Sequence, residues 1–344
     1  MTRVWGTVSA VSNHRRVAAM GTDEVVVVVG ENLVDLVIGD EGVTPIPGGG
    51  PFTVARTIAR LGFRPHFFSG IANDRFGVQL RDTLLDDGVV ITFDRPSTRP
   101  TSLAIVDSRG ASTSYTFYLS DTAAFEIDAA TALERYHGLV APAALYVGTL
   151  GLLVEPMASA ATSLVVAADP TTLVVVDPNC RPSATTDPSR YRSRLDDLFA
   201  RADVVKVSVD DLEFIDPNRE HLDTARSIAE RGVPWIIVTD GPRPVRLLSP
   251  RGVSHFPVDD RSVVDTIGAG DALVGGFLSW WVGHHLDRRA IDDYDAVSDA
   301  LTAAMAIAAI TCERRGALPP MRSDLGDTPS WRWLTAPHRS DSST

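Results

Sequence analysis

The chain of 344 residues is 44% hydrophobic and 22% charged, a balance that fits a globular protein with one large domain and at most a small appendage. Its formal net charge of −12 comes from scattered rather than blocked acidic residues, which argues against a nucleic-acid partner but leaves room for a small phosphorylated ligand held by backbone N–H groups. Two cysteines, Cys180 and Cys312, exclude a disulfide framework and suit a reducing, cytoplasmic setting, and no apolar run reaches the roughly 18–20 residues of a membrane-spanning helix, so no membrane partner is expected.

Residues 1–23 carry basic side chains but no apolar segment leading to a small-residue cleavage site, so they read as a disordered extension rather than a secretory signal, with Met20 an alternative start. EVVVVVG at 24–30 predicts a first strand, and LVDLVIGDEGVTPIP at 33–47 predicts antiparallel strands set apart from it. PFTVARTIARLG at 51–62 predicts a helix closed by Gly62, RPHFFSGI at 64–71 a strand, and DRFGVQLRDTLLDDG at 74–88 a helix closed by Gly88. TSLAIVDSRGASTSYTFYL at 101–119 puts a D-S-R-G turn between two alternating segments. ALYVGTL at 144–150, TTLVVVDPN at 171–179, ADVVKVS at 202–208 and PWIIVTDG at 234–241 predict further strands, with LDTARSIAERG at 222–232 and ALVGGFLSWWVGHHL at 272–286 as helices. Continuous β-branched runs suit strands covered on both faces, so the expected class is α/β with a mainly parallel central sheet. The segments at about 33–46 and 98–120 make a small sheet suited to act as a lid. After Pro319 the chain turns polar, leaving 24–320 as the main domain and 321–344 as a tail.

The segment VVDTIGAGDAL at 263–273 carries the chemistry. Gly268, Ala269 and Gly270 have little or no side chain, so successive N–H groups can face outward at a helix start, where the dipole adds positive potential. Such a turn is an anion hole. Asp271 at its edge would repel a static phosphate but makes sense beside a hydroxyl that must lose its proton, which is a phosphoryl-transfer layout.

Residues 263–278 resemble the C-terminal motif D-T-x-G-A-G-D-x-F-x-x-G of the ribokinase-like (PfkB-type) carbohydrate kinases, with Leu273 in place of Phe. Other segments resemble that family's motifs in the required order: GENLVDLV at 30–37, PGGGPFTVARTIARLG at 47–62, GIANDRFGVQLRDTLLDDGV at 70–89 around Asn73 and Asp74, DPNCRP at 177–182, TDG at 239–241 and CERRGALP at 312–319. The resemblance covers roughly residues 24–320 and implies a ribokinase-like three-layer α/β/α sandwich with a small β-sheet lid.

It further implies an ATP-dependent kinase acting on a small sugar hydroxymethyl group, most like the fructokinase-type members. Ribose, 2-keto-3-deoxygluconate or a nucleoside are the alternative acceptors, and a non-catalytic sugar- or nucleotide-binding relative is the alternative of another class. By this resemblance Asp271 is the catalytic base, and Gly268 with the N–H groups of Ala269, Gly270 and Asp271 forms the anion hole. Asp35, Gly48, Gly49, Gly50, Thr53, Asn179 and Arg181 would bind the sugar; a carboxylate such as Asp35 can accept hydrogen bonds from two vicinal hydroxyls. Ser208, Thr239, Gly241, Gly268, Gly270 and Cys312 would bind ATP, Asp211 would serve Mg²⁺, and Asp265 and Thr266 would form a K⁺ site with the loop near Gly316. The lid edge offers a surface for a homodimer. Thr53 stands where the family has Asn, Ser208 to Asp211 replaces N-x-x-E, and Pro244 replaces a second Gly. His255, His284 and His285 lack metal-ligand spacing, and no G-x-G-x-x-G follows the first strand, which argues against a dinucleotide-binding dehydrogenase.

Overall fold

The computed structural model describes residues 24–39, 42–107, 114–259, 261–326 and 331. The predicted extension at 1–23, the turn tip at 108–113 and the tail from 327, Trp331 apart, lie outside the described residues.

The chain opens with β1 (Val26–Val29), whose four valines are all buried. Val26 and Val28 join one apolar cluster and Val27 and Val29 the other, as a strand covered on both faces requires. Next come β2 (Leu33–Gly39), β3 (Gly42–Gly48), α1 (Gly50–Arg60), β4 (Pro65–Phe68), α2 (Arg75–Asp87), β5 (Val90–Ile91), β6 (Leu103–Asp107) and β7 (Ser114–Tyr118). The middle of the chain supplies α3 (Ala129–His137), β8 (Ala144–Gly148), α4 (Met157–Ala167), β9 (Leu173–Asp177), α5 (Pro188–Phe199), β10 (Val204–Ser208), α6 (Val209–Ile215) and α7 (His221–Ala229). The last elements are β11 (Trp235–Asp240), β12 (Arg243–Ser249), β13 (Gly252–Phe256), α8 (Ala269–Gly283) and α9 (Tyr294–Cys312).

Among the described residues the main sheet has nine strands in the order β13-β12-β11-β10-β9-β8-β1-β4-β5. It is parallel from β11 to β5, and the β12–β13 hairpin adds two antiparallel strands at one edge. One face is covered by α1, α2, α8 and α9 through residues such as Phe52, Leu80, Phe277 and Leu301. The other is covered by α3 to α7 through Ala132, Leu164, Leu195, Leu212 and Ile228. This is the expected three-layer α/β/α sandwich. A second sheet, β3-β2-β6-β7, stands apart; its outer pairs are antiparallel as expected, but β2 and β6 pair in parallel.

Helix α8 begins at Ala269, three residues before the apolar segment that predicted it, and ends at Gly283 rather than at 286. Two glycines in its middle let it sit close to both neighbours. A β-carbon at Gly275 would lie 2.5 Å from Cβ of Thr57 on α1, and one at Gly276 would lie 3.0 Å from Cα of Ala304 on α9. Of the described helices only α9 is long and apolar enough to cross a membrane, and its Val297, Ala300, Leu301, Ala304 and Ile307 are buried in the core.

Candidate active site

The C-terminal ends of β1, β8, β9, β10 and β11 open on one edge of the parallel sheet, the usual ligand side of an open α/β fold. The start of α8 meets them there. Gly268 precedes the helix at φ 76°, a left-handed conformation, and a β-carbon on it would lie 2.5 Å from Cβ of Ala317 and 3.4 Å from the methyl of Thr53. The turn is therefore packed on one side by the 312–319 loop and on the other by α1.

The expected three-donor anion hole is reduced by one. The N–H of Ala269 donates to the carbonyl of Thr266 at 3.2 Å, because the tight turn that sets up the helix consumes it. Those of Gly270 and Asp271 have no partner among the described residues and lie at the positive end of a 15-residue helix. Asp271 follows in the first turn, half-buried, its carboxylate accepting no hydrogen bond from the described residues. Burial raises its pKa above the usual carboxylate range, while Lys206 and Arg181 pull the other way. A β-carbon at Gly50 would lie 3.1 Å from Oδ1 of Asp271, so the glycine loop before α1 borders directly on the proposed base.

Asp35 projects from β2, half-buried, and no donor among the described residues reaches its oxygens. Its pKa is pushed up to about 6, mainly by burial, with Arg181 opposing and Asp271 adding to the rise. Gly48 is small for a local reason: a β-carbon there would lie 2.3 Å from Oδ2 of Asp35. Gly49 turns the chain at φ 109°, and Gly50 begins α1. Thr53 is 1% exposed, and its methyl packs beneath Gly268, so it helps shape the turn.

After β9 the chain bends sharply, with Asn179 at φ 40°. Arg181 folds back so that Nη1 donates to the carbonyls of Asn179 and Cys180, at 3.2 and 3.1 Å, while its charge bears on both Asp35 and Asp271. Ser208 and Thr239 are register partners at the ends of β10 and β11, which puts two of the expected nucleotide residues side by side. Gly241 turns into β12 at φ 54°. Cys312 closes α9, and its carbonyl accepts from the N–H groups of Val264 and Asp265 at 2.8 and 3.1 Å. Asp265 completes the clasp, accepting from Gly316 N–H at 2.9 Å and Ile267 N–H at 3.0 Å. Both its oxygens are engaged, so a monovalent cation here would depend on backbone carbonyls such as that of Thr266.

Asp211 is placed differently from the magnesium ligand expected of it. Oδ1 accepts from Cys180 N–H at 2.6 Å, and Oδ2 accepts from Ser208 N–H and Oγ at 2.7 Å each. It closes a capping box at the start of α6 and ties that helix to the β9 turn, a capping role rather than an open position for a metal. Among the described residues no group of three or more His, Cys, Asp or Glu is arranged to hold a metal ion.

Several residues at the site did not stand out in the sequence. Lys206, the one charge inside β10, is 5% exposed and pairs with the fully buried Asp177 at 3.2 Å. A β-carbon at Gly270 would lie 2.9 Å from its Nζ, so the ammonium lies against the glycine turn at the start of α8. Burial works to lower its pKa, but Asp177, Asp211 and Asp271 together hold it above the ordinary lysine value. Glu31, fully enclosed at the end of β1, bonds Gly50, Thr149 and Gly151. Tyr115 of β7 has its phenol pushed up by burial and by Asp35 and Asp265, with Arg181 opposing, which sets the small sheet over both halves of the site. A lysine in an otherwise apolar strand and a glutamate one glycine beyond five valines were the available signals.

Residues 23–324 match the family described as pfkB family carbohydrate kinase. The chain is 32% identical over 306 residues to a fructokinase of Klebsiella pneumoniae, covering 87% of this chain and 97% of that protein. Among solved structures it is similar to a fructokinase with bound ATP from Xylella fastidiosa, with a TM-score of 0.79 and 25% identity over 88% of this chain and 97% of the other. It is also similar to a Vibrio cholerae fructokinase in a form bound to fructose, ADP and calcium ion, with a TM-score of 0.73 and 26% identity over 86% and 94% of the two chains.

Proposed function

Because the chain belongs to the pfkB family of carbohydrate kinases, we propose that it transfers the γ-phosphoryl group of ATP to a hydroxymethyl group of fructose, with Asp271 as the base. One observation carries the reading: an unbonded, half-buried carboxylate, Asp271, stands beside two unpartnered N–H groups at a helix N-terminus and against the glycine loop of the sugar side.

In this reading the attacking hydroxyl gives its proton to Asp271 as the new O–P bond forms. The N–H groups of Gly270 and Asp271 stabilise charge on the transferring group, with Lys206 beneath them adding positive potential. Asp35 accepts hydrogen bonds from vicinal sugar hydroxyls, which its free oxygens allow, and Gly48 to Gly50 let the ring approach the backbone. Arg181 meets phosphate oxygens from the far side, balancing the two carboxylates it lies between. The ends of β10 and β11 and the clasp joining Asp265, Cys312 and Gly316 form the nucleotide side. The small sheet closes from above and keeps water from consuming ATP. ATP enters as its magnesium complex, and the metal's charge travels with the phosphates.

The test is to incubate the purified protein with MgATP and a panel of fructose, ribose, 2-keto-3-deoxygluconate and nucleosides, following ADP release. Fructose is expected to raise ADP most. If another acceptor does so, the substrate assignment falls; if ligands bind and none raises ADP above the basal rate, the enzyme reading falls with it.

A further inference from the structure

We propose that Glu31 is a positioning residue for the reaction: through Thr149 and the backbone of Gly50 it holds the sugar-side wall of the site at a fixed distance from Asp271. The inference rests on the reading of Asp271 as the base. Glu31 is 2% exposed, so it meets neither sugar nor nucleotide and can act only through its neighbours.

Three segments converge on its carboxylate. Oε1 accepts from Gly50 N–H at 3.2 Å and from the Thr149 hydroxyl, and Oε2 accepts from Gly151 N–H at 2.9 Å. These donors lie 19, 118 and 120 residues along the chain, at the start of α1 and in the turn after β8. Gly50 fits between two side chains: a β-carbon on it would lie 2.4 Å from Cγ2 of Thr149 and 3.1 Å from Oδ1 of Asp271. Any shift of Thr149 therefore reaches Asp271 across one backbone thickness. Thr149 itself sits at φ 56°, a conformation that β-branched residues rarely adopt and that persists only when neighbours enforce it. The hydroxyl bond to Glu31 is one such restraint. The backbone of Glu31 adds contact from below, since a β-carbon at Gly49 would lie 2.9 Å from its carbonyl oxygen.

A carboxylate is a costly choice for an enclosed position, and burial pushes this one up to about 7 against the hydrogen bonds that favour its charge. A glutamine would be cheaper to bury but would not serve. The two backbone N–H groups address different oxygens, and an amide would turn its own NH₂ toward one of them. The ionised group satisfies all three donors at once, which an apolar or amide side chain cannot.

The full-length chain is assayed with the sugar it phosphorylates fastest, as wild type, Glu31→Gln, Thr149→Val, Thr149→Ser and Asp271→Asn. Glu31→Gln and Thr149→Val are expected to raise the KM for sugar about tenfold and leave the KM for ATP within about twofold, with a modestly lower melting temperature for Glu31→Gln, whose amide leaves one buried N–H without an acceptor. Thr149→Ser, which keeps the hydroxyl, is expected to stay near wild type, and the double variant Glu31→Gln/Thr149→Val to be no worse than the poorer single variant. Sugar and ATP KM values that rise together with a falling melting temperature, or an unchanged sugar KM in Thr149→Val, would overturn the proposal. If Glu31→Gln does not fold, Thr149→Val decides, because it keeps the shape and removes only the hydroxyl. Near-normal turnover by Asp271→Asn defeats the base assignment instead; a dead Asp271→Asn beside unaffected Thr149→Val and Glu31→Gln defeats this inference alone.

Discussion

Replacing Lys206 with Met removes the single charge in β10 and leaves Asp177, which is fully buried, without its 3.2 Å partner. Removing one member of a buried ion pair costs about 3–5 kcal/mol where the remaining group stays charged. Burial pushes Asp177 up to about 7 even beside Lys206, so without Lys206 it takes up a proton and the expected loss at neutral pH is about 1–3 kcal/mol. Against a total stability of about 5–15 kcal/mol the variant should still fold, but with a clearly lower urea midpoint at neutral pH. Lys206→Met/Asp177→Asn removes both charges and is expected to recover at least half of the loss. Catalysis offers a second readout. Lys206 opposes the rise that burial imposes on Asp271, so its loss moves the pKa of Asp271 further up. A base works only when ionised, so the acid limb of the kcat profile should move to higher pH. A loss below about 1 kcal/mol, or a double variant no more stable than Lys206→Met, would refute the claim that this ammonium is paired in the interior. An unmoved acid limb would refute its electrostatic hold on Asp271.

Asp271→Asn should lower turnover by about 10²–10⁴ with little change in sugar KM, checked by steady-state kinetics, since the amide keeps the shape but takes no proton. Asp35→Ala should act mainly on the sugar KM. In the wild type that KM should rise as pH falls through about 6, where Asp35 takes up a proton and loses acceptor strength, and the variant should lack this limb. Gly275→Ala places a methyl 2.5 Å from Cβ of Thr57 and should cost about 1–3 kcal/mol by overpacking, read as a lower melting temperature.

The strands were legible in the sequence because their β-branched runs are continuous, which reflects burial on both faces. The β12–β13 hairpin was not, because RPVRLLS and GVSHF mix charge and small residues on a half-exposed edge. Helices α3 to α6 and α9 were missed for different reasons: α3 and α6 are short, α5 is dominated by charged and polar residues, and α4 and α9 are apolar with no sharply defined polar face. Asp271 and the glycine turn could be placed together because one local motif contains both. Glu31 and Lys206 could not, since their partners are distant in sequence and only the fold brings them together. Thr53 and Ala269 mark a finer limit. A motif gives a residue's place in the chain, but whether a side chain points inward, or an N–H is already consumed by a turn, depends on packing.

Helix α8 meets α1 at Gly275 and α9 at Gly276 with no side chain between the backbones on its own side. A helix held this closely on two flanks has little room to slide or roll, and its first turn carries Asp271. On the proposed function, movement to admit and enclose a substrate would fall to the second sheet, where Ser102 just before β6 and Thr122 just after β7 are joined by a 2.6 Å hydroxyl contact. In the proposed reaction the division of labour would be mechanical, with the acceptor carried to Asp271 and Asp271 held by the packing of its helix.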